Sequence, residues 1–79
     1  MAELVAELAR RLVDEPDAVR VEQVDGDDGA LVLRLHVAED DVGKVIGRQG
    51  RIARALRTIV RASAVREGRR VLVEIADPE

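Results

Sequence analysis

Lys44, Arg48, Arg51 and Arg54 surround Gly47-Arg48-Gln49-Gly50, a G-x-x-G spacing inside the most basic stretch of the chain. The chemistry open to such a set is anion binding. Glycine has no Cβ, so a sugar-phosphate backbone can approach the main chain closely. A helix that starts just after Gly50 turns its first unpaired amides, and the positive end of its dipole, toward the same spot. The four cations add full charge, and Gln49 adds a neutral donor.

A second G-x-x-G, Gly26-Asp27-Asp28-Gly29, serves as a control. Two aspartates within it repel phosphate, so it reads as the turn of a hairpin. His36 stands alone on the polar side of a strand, with no Ser, Cys or carboxylate spaced to form a nucleophilic or metal site, and is assigned a surface role. Asp25, Asp27 and Asp28 resemble the start of a calcium loop, but His36 occupies the position of the closing glutamate. No lysine or carboxylate pair is placed for acid–base work. The expectation is therefore a binding protein with no catalytic residue, no metal, no cofactor and no small-molecule substrate.

Composition bounds the partner. The chain has 79 residues and no cysteine, which leaves room for one small domain held by packing of its 25 Val, Leu and Ile residues. The opening MAELVAELARR lacks a continuous apolar run, so neither a signal peptide nor a membrane span is expected, and the cytoplasm is the default location. The absence of any aromatic residue excludes base stacking on Phe, Tyr or Trp. A net charge of −3 argues against nucleic acid only until its distribution is read. Residues 1–43 carry 4 basic and 12 acidic side chains, residues 44–70 carry 9 and 1, and residues 71–79 carry 3 acidic ones. The loop chosen on chemical grounds lies in the one positive block.

The elements that position this loop follow from periodicity. Leu4, Val5, Leu8 and Leu12 make an amphipathic stripe from Ala2 to Val13, which Asp14, Glu15 and Pro16 end. Val19 and Val21 alternate with Arg20 and Glu22 as a short strand; Leu31, Leu33, Leu35 and Val37 repeat with strict period two as a second. Asp40 and Asp41 suit the N-cap of a short helix carrying Val42, Val45 and Ile46, with Gly47 as a left-handed C-cap. A longer helix runs from Arg51 to Ala64, with Ile52, Leu56, Ile59 and Val60 on its apolar stripe. Gly68 ends it, and Val71, Val73 and Ile75 form a last strand before an acidic tail. The order α-β-β-α-α-β predicts an α+β fold, with a three-stranded mixed sheet and three helices on one face. The two-helix connection allows the second and third strands to pair in parallel.

Val45-Ile46-Gly47-Arg48-Gln49-Gly50 resembles the V-I-G-x-x-G core of KH domains, nucleic-acid-binding modules whose GXXG loop clamps about four nucleotides of a single strand. The extra helix and strand ahead of that core are similar to the type II, bacterial arrangement, and the resemblance covers residues 1–79, with the core motif at about 30–76. Many KH domains carry an isoleucine three residues after the second glycine, where this chain has Ala53 and places Ile52 one position earlier. Others carry a second cation where Gln49 stands. The resemblance implies single-stranded RNA held by Gly43, Lys44, Val45, Ile46, Gly47, Arg48, Gln49, Gly50, Arg51 and Arg54. It implies bases turned to an aliphatic groove near Val42, Val45, Ile46 and Ile52, with Leu33 and Leu35 beneath. It also implies a dimer, with itself or with a larger KH-containing protein in a partnership tied to cell elongation and division. Arg57, Ile59, Val60 and Ala62 on the long helix are the expected dimer surface. An adaptor role, in which the same domain serves protein docking and RNA is secondary, is the alternative.

Overall fold

The period-two run at Leu31 becomes the central strand of the sheet. The computed structural model describes residues 1–26 and 28–76; Asp27 of the acidic turn and the tail residues 77–79 lie outside the described residues. Strand β1 (Arg20–Asp25) pairs antiparallel with β2 (Leu31–His36), Val21 opposite Leu35 and Val24 opposite Val32. Strand β3 (Val71–Ile75) pairs in parallel with β2, Leu33 opposite Val73. The sheet is mixed, in the order β1-β2-β3, so β3 is an edge.

Helices α1 (Ala2–Arg10), α2 (Val42–Ile46) and α3 (Arg51–Glu67) cover the face that carries Leu33 and Leu35, both fully buried. Val5 and Ala9 of α1, Val45 of α2, Leu56, Val60 and Ala64 of α3, and Val71 and Val73 of β3 complete this core. Short 3₁₀ turns at Pro16–Ala18, Glu39–Asp41 and Arg48–Gly50 link the pieces. The architecture is the α+β fold that the spacing predicts.

Four details differ. The buried side of α1 is Val5, Ala6 and Ala9, while Leu4 and Leu12 are 37% and 38% exposed. Small side chains let the helix lie close on the sheet, and the leucines are displaced to its flank. The helix also stops at Arg10 instead of Val13, because the following amides are drawn elsewhere: Asp14 N–H and Glu15 N–H donate to the Asp41 carboxylate at 3.2 and 3.0 Å. Asp41 is therefore not the helix cap that local sequence suggests, and makes no cap hydrogen bond. At the other end, α3 runs on to Glu67, where Gly68 closes it in the left-handed region at φ 66°, ψ 25°.

Candidate nucleic-acid interface

Three of the four residues of the G-x-x-G segment, Gly47, Gln49 and Gly50, have positive φ. Gly47 has φ 77° and ψ 172°, a region essentially restricted to glycine, and not the left-handed C-cap expected of it. A Cβ at Gly47 would lie 2.9 Å from both the backbone nitrogen and the Cβ of Ile52, and closer still to its Cγ1. Gly47 thus lets α2 end directly against the first turn of α3. Ile52 is the residue beneath that contact, and Ala53 is buried in the core, so the one-place shift from the common KH pattern gives the first turn a larger residue under the glycine and a smaller one toward the sheet.

Gln49 and Gly50 follow at φ 58°, ψ 25° and φ 73°, ψ 16°. Left-handed Gly50 is followed by right-handed Arg51 at φ −63°, ψ −40°, so the loop passes directly into α3. Gly50 N–H and Arg51 N–H are used internally, donating to Gly47 O at 3.1 Å and to Arg48 O. The next amides belong to the first turn of a 17-residue helix, where no side chain caps them. Arg54 Nη2 donates to the Gln49 carbonyl at 2.8 Å and braces the loop from one turn below. Arg48 and Arg51 are exposed and, among the described residues, have no ion-pair partner.

Lys44 is used differently. Its ammonium pairs with Asp14 and lies 3.3 Å from Asp41 Oδ1, and these carboxylates hold its pKa above the ordinary lysine value. Asp41 is 1% exposed. Burial pushes its carboxyl up, but the Asp14 and Glu15 amides and Lys44 outweigh that and leave it below the ordinary carboxylate value. The cluster ties α2, which carries the loop, to the segment after α1. The local sequence does not signal the buried role of Asp41, since the two amides that its carboxylate accepts from lie 26 and 27 residues away.

The structure separates the other predicted residues into two groups. Gly43 faces open space, and Ile46, three residues on, is exposed. Val45 is fully buried and its side chain serves the core; so does Val60, between exposed Ile59 and Ala62. His36 lies on the open sheet face, where its Nε2 is 3.1 Å from Glu22 Oε1. Among the described residues no group of His, Cys, Asp and Glu side chains could hold a metal ion, and no helix is long and apolar enough to cross a membrane.

Comparison with known proteins bears on this loop. A family profile described as the KH domain of KhpA/KhpB matches residues 2–75. The chain belongs to the KhpA/KhpB KH-domain family. Its relatives include proteins named RNA-binding protein KhpA from Caldanaerobacter subterraneus subsp. tengcongensis, 53% identical over 75 residues (95% of this chain, 99% of that protein), and Treponema pallidum, 53% identical over 75 residues (95% and 92%). The Bacillus subtilis protein of that name is 43% identical over 77 residues (98% and 94%). A crystal structure of Aquifex aeolicus Era bound to GDP·AlF4⁻ superposes with a TM-score of 0.59 at 27% identity, over 94% of this chain and 28% of the Era chain. KhpA/KhpB KH domains are binding modules and not enzymes, and the chain is not an enzyme.

Proposed function

We propose that the chain is an RNA-binding protein that clamps short single-stranded segments through Gly47 to Gly50 and the first turn of α3. The observation that carries this reading is the N-terminus of α3, which no side chain caps, opening beside Arg48 and Arg51, both exposed and, among the described residues, unpaired. Phosphates meet the amides and arginines, Gly43 leaves room for the strand, and Ile46 offers an aliphatic contact. Lys44 contributes from within its carboxylate cluster, by fixing α2, and Val45 by supporting the loop from the core. The whole chain acts as one KH domain in the cytoplasm. Affinity for one segment is modest without stacking rings, and sequence discrimination is loose.

Two clamps joined in a dimer raise avidity without new contacts per site. An open apolar cleft of about 250 Å³, lined by Leu8, Leu12, Ile52 and Ile59, supports a contact surface on the flank of α3. Of the expected dimer residues, Arg57, Ile59 and Ala62 are exposed and Val60 is buried. The same cleft favours a second reading, in which a KhpB/Jag-type partner docks there and the domain is an adaptor in cell elongation and division. In the first reading the protein is a post-transcriptional regulator or RNA chaperone, as a homodimer or with that partner.

Replacing Arg48 and Gln49 together by aspartate separates the readings. Asp tolerates the left-handed conformation of Gln49, so the fold and self-association stay intact. Binding of a fluorescent single-stranded RNA is expected to disappear. For the parent protein, three or four phosphate contacts give a slope of log affinity against log salt of about −2 to −3. Undiminished RNA binding by the variant, or a flat salt response, refutes the clamp and leaves the adaptor.

A further inference from the structure

Arg57 reaches from α3 to the sheet: its Nε donates to the carbonyl of Val73 at 3.2 Å. The parallel ladder fixes which edge that carbonyl occupies. Leu31 N–H donates to Arg70 O, and Ala76 N–H donates to Leu35 O, so the even-numbered residues of β3 direct their backbone groups at β2. The backbone groups of Val71, Val73 and Ile75 point to the free edge, because β3 is the last strand of the sheet. Arg57 is exposed, and among the described residues its two terminal nitrogens have no partner. Arg54, one turn earlier on the same flank of α3, braces the G-x-x-G loop. The flank therefore runs from the phosphate cradle to the sheet edge, about 10 Å along the helix from Gly50 to Arg57.

We infer that Arg57 is a base-reading residue. The inference rests on the clamp reading above, with a strand held at Gly47 to Gly50 running along this flank toward the sheet edge. Anchoring by Nε fixes the plane of the guanidinium and leaves its outer fork with donors only. A fixed pair of donors matches a base edge that shows two adjacent acceptors. Guanine does so with O6 and N7, cytosine with O2 and N3. Adenine sets its N7 beside an amino donor, and uracil places an N–H between its two carbonyls. Guanine and cytosine at the position after the clamped phosphates are thus preferred.

The test uses the full chain and four hexanucleotides, hexauridylate and the same strand with G, C or A at its two central positions. The parent protein is expected to bind the G- and C-centred strands about five- to tenfold more tightly than the other two. Arg57→Lys keeps the charge but loses the planar fork; it is expected to bring all four affinities within about twofold of one another while leaving hexauridylate binding and the salt slope unchanged. The double aspartate change in the loop, in contrast, lowers all four alike. Should Arg57→Lys fail to fold, the Nε–H resonance of Arg57 in the parent protein gives the readout, shifting with the G- and C-centred strands and not with the A-centred one. Equal binding of all four strands by the parent, or a spread that survives Arg57→Lys, overturns the inference and leaves the clamp standing. Absence of binding to any strand overturns both.

Discussion

Two segments of this chain share the spacing G-x-x-G and share little else. In the first, between β1 and β2, Gly26 N–H donates to Ala30 O at 2.7 Å, Gly29 N–H to Gly26 O at 3.2 Å and Ala30 N–H to Asp28 Oδ1 at 3.2 Å, so these three donors are spent inside the turn. Arg70 pairs with Asp28 and Arg69 with Asp25, which brings cations to the acidic turn and neutralises both sides. In the second, between α2 and α3, the Gly50 and Arg51 amides also close on loop carbonyls, but the amides that follow lie in the first turn of α3, which no side chain caps, and Arg48 and Arg51 stay unpaired among the described residues. What separates a turn from an anion site is where its donors go, and the glycine spacing alone does not decide that. The comparison also revises the charge of the basic block. Of its nine cations, Lys44, Arg69 and Arg70 are held by carboxylates, so the block's usable charge is smaller than its composition implies and is concentrated along α3.

The largest contrast is expected from alanine at one glycine of each turn. Gly47→Ala forces a Cβ into Ile52 at a backbone conformation that only glycine adopts comfortably, and is expected to cost about 3 kcal/mol or more. Gly29→Ala also meets positive φ, at 82°, but in open space, and should cost about 1 kcal/mol. Urea unfolding of the two variants checks the difference; equal losses would mean that the contact under Gly47 does not set the loop.

Exchanging the central residues comes next. Arg48→Asp with Gln49→Asp gives the second turn the same four residues as the first. Stability is expected to change by less than about 1 kcal/mol, because both positions are exposed, while RNA binding is lost. A variant that keeps its affinity would show that the surrounding helix ends, and not the charge inside the turn, define the site.

Much of this arrangement is legible in the chain as written. The strict alternation of Leu31, Leu33 and Leu35 marks the central strand, and the two helices between it and Val71 permit the parallel pairing that the sheet adopts. The loop itself is visible because glycine, cation and helix start coincide in sequence. Contacts that join distant residues are not visible. Asp41 looks like a cap because capping rules are local, yet its carboxylate is claimed by amides across the fold. Likewise Leu4 and Leu12 outrank Ala6 and Ala9 in hydrophobicity, and only the closeness of α1 to the sheet puts the alanines inside. The bond from Arg57 to the Val73 carbonyl is likewise invisible until β3 is placed beside α3.

Asp41 also sets how the loop's support responds to pH. Its carboxyl titrates below the ordinary value in the folded chain, as does Glu22, whose carboxylate accepts a hydrogen bond from His36. A lowered carboxyl contributes stability that is fully present above its unfolded pKa and is lost as pH falls through the lower folded value. Lys44 has the opposite sense: its contribution is present below the ordinary lysine pKa and lost as pH rises through the raised one. The urea midpoint is therefore expected to be flat near neutrality and to fall below about pH 4. Asp41→Asn should lower the neutral plateau and flatten the acid decline, because the ion pair and part of the proton linkage go together. An unaltered acid limb in that variant would place the linkage elsewhere.

The smallest effect separates the cations that the acidic turn holds from those the loop leaves free. Arg70 and Asp28 are both largely exposed, so Arg70→Gln is expected to change stability by no more than about 0.5 kcal/mol. It should leave the salt slope of RNA binding where it was, since that guanidinium already has its anion and releases no counterion to the strand. Arg51→Gln removes an unpaired cation at the clamp and should make the slope shallower by about 0.7, the contribution of one phosphate on a single strand. Measuring the two slopes side by side tests the division directly. If Arg70→Gln flattens the slope as much as Arg51→Gln does, the strand runs past the first turn as well, and the acidic segment is part of the path that the RNA takes.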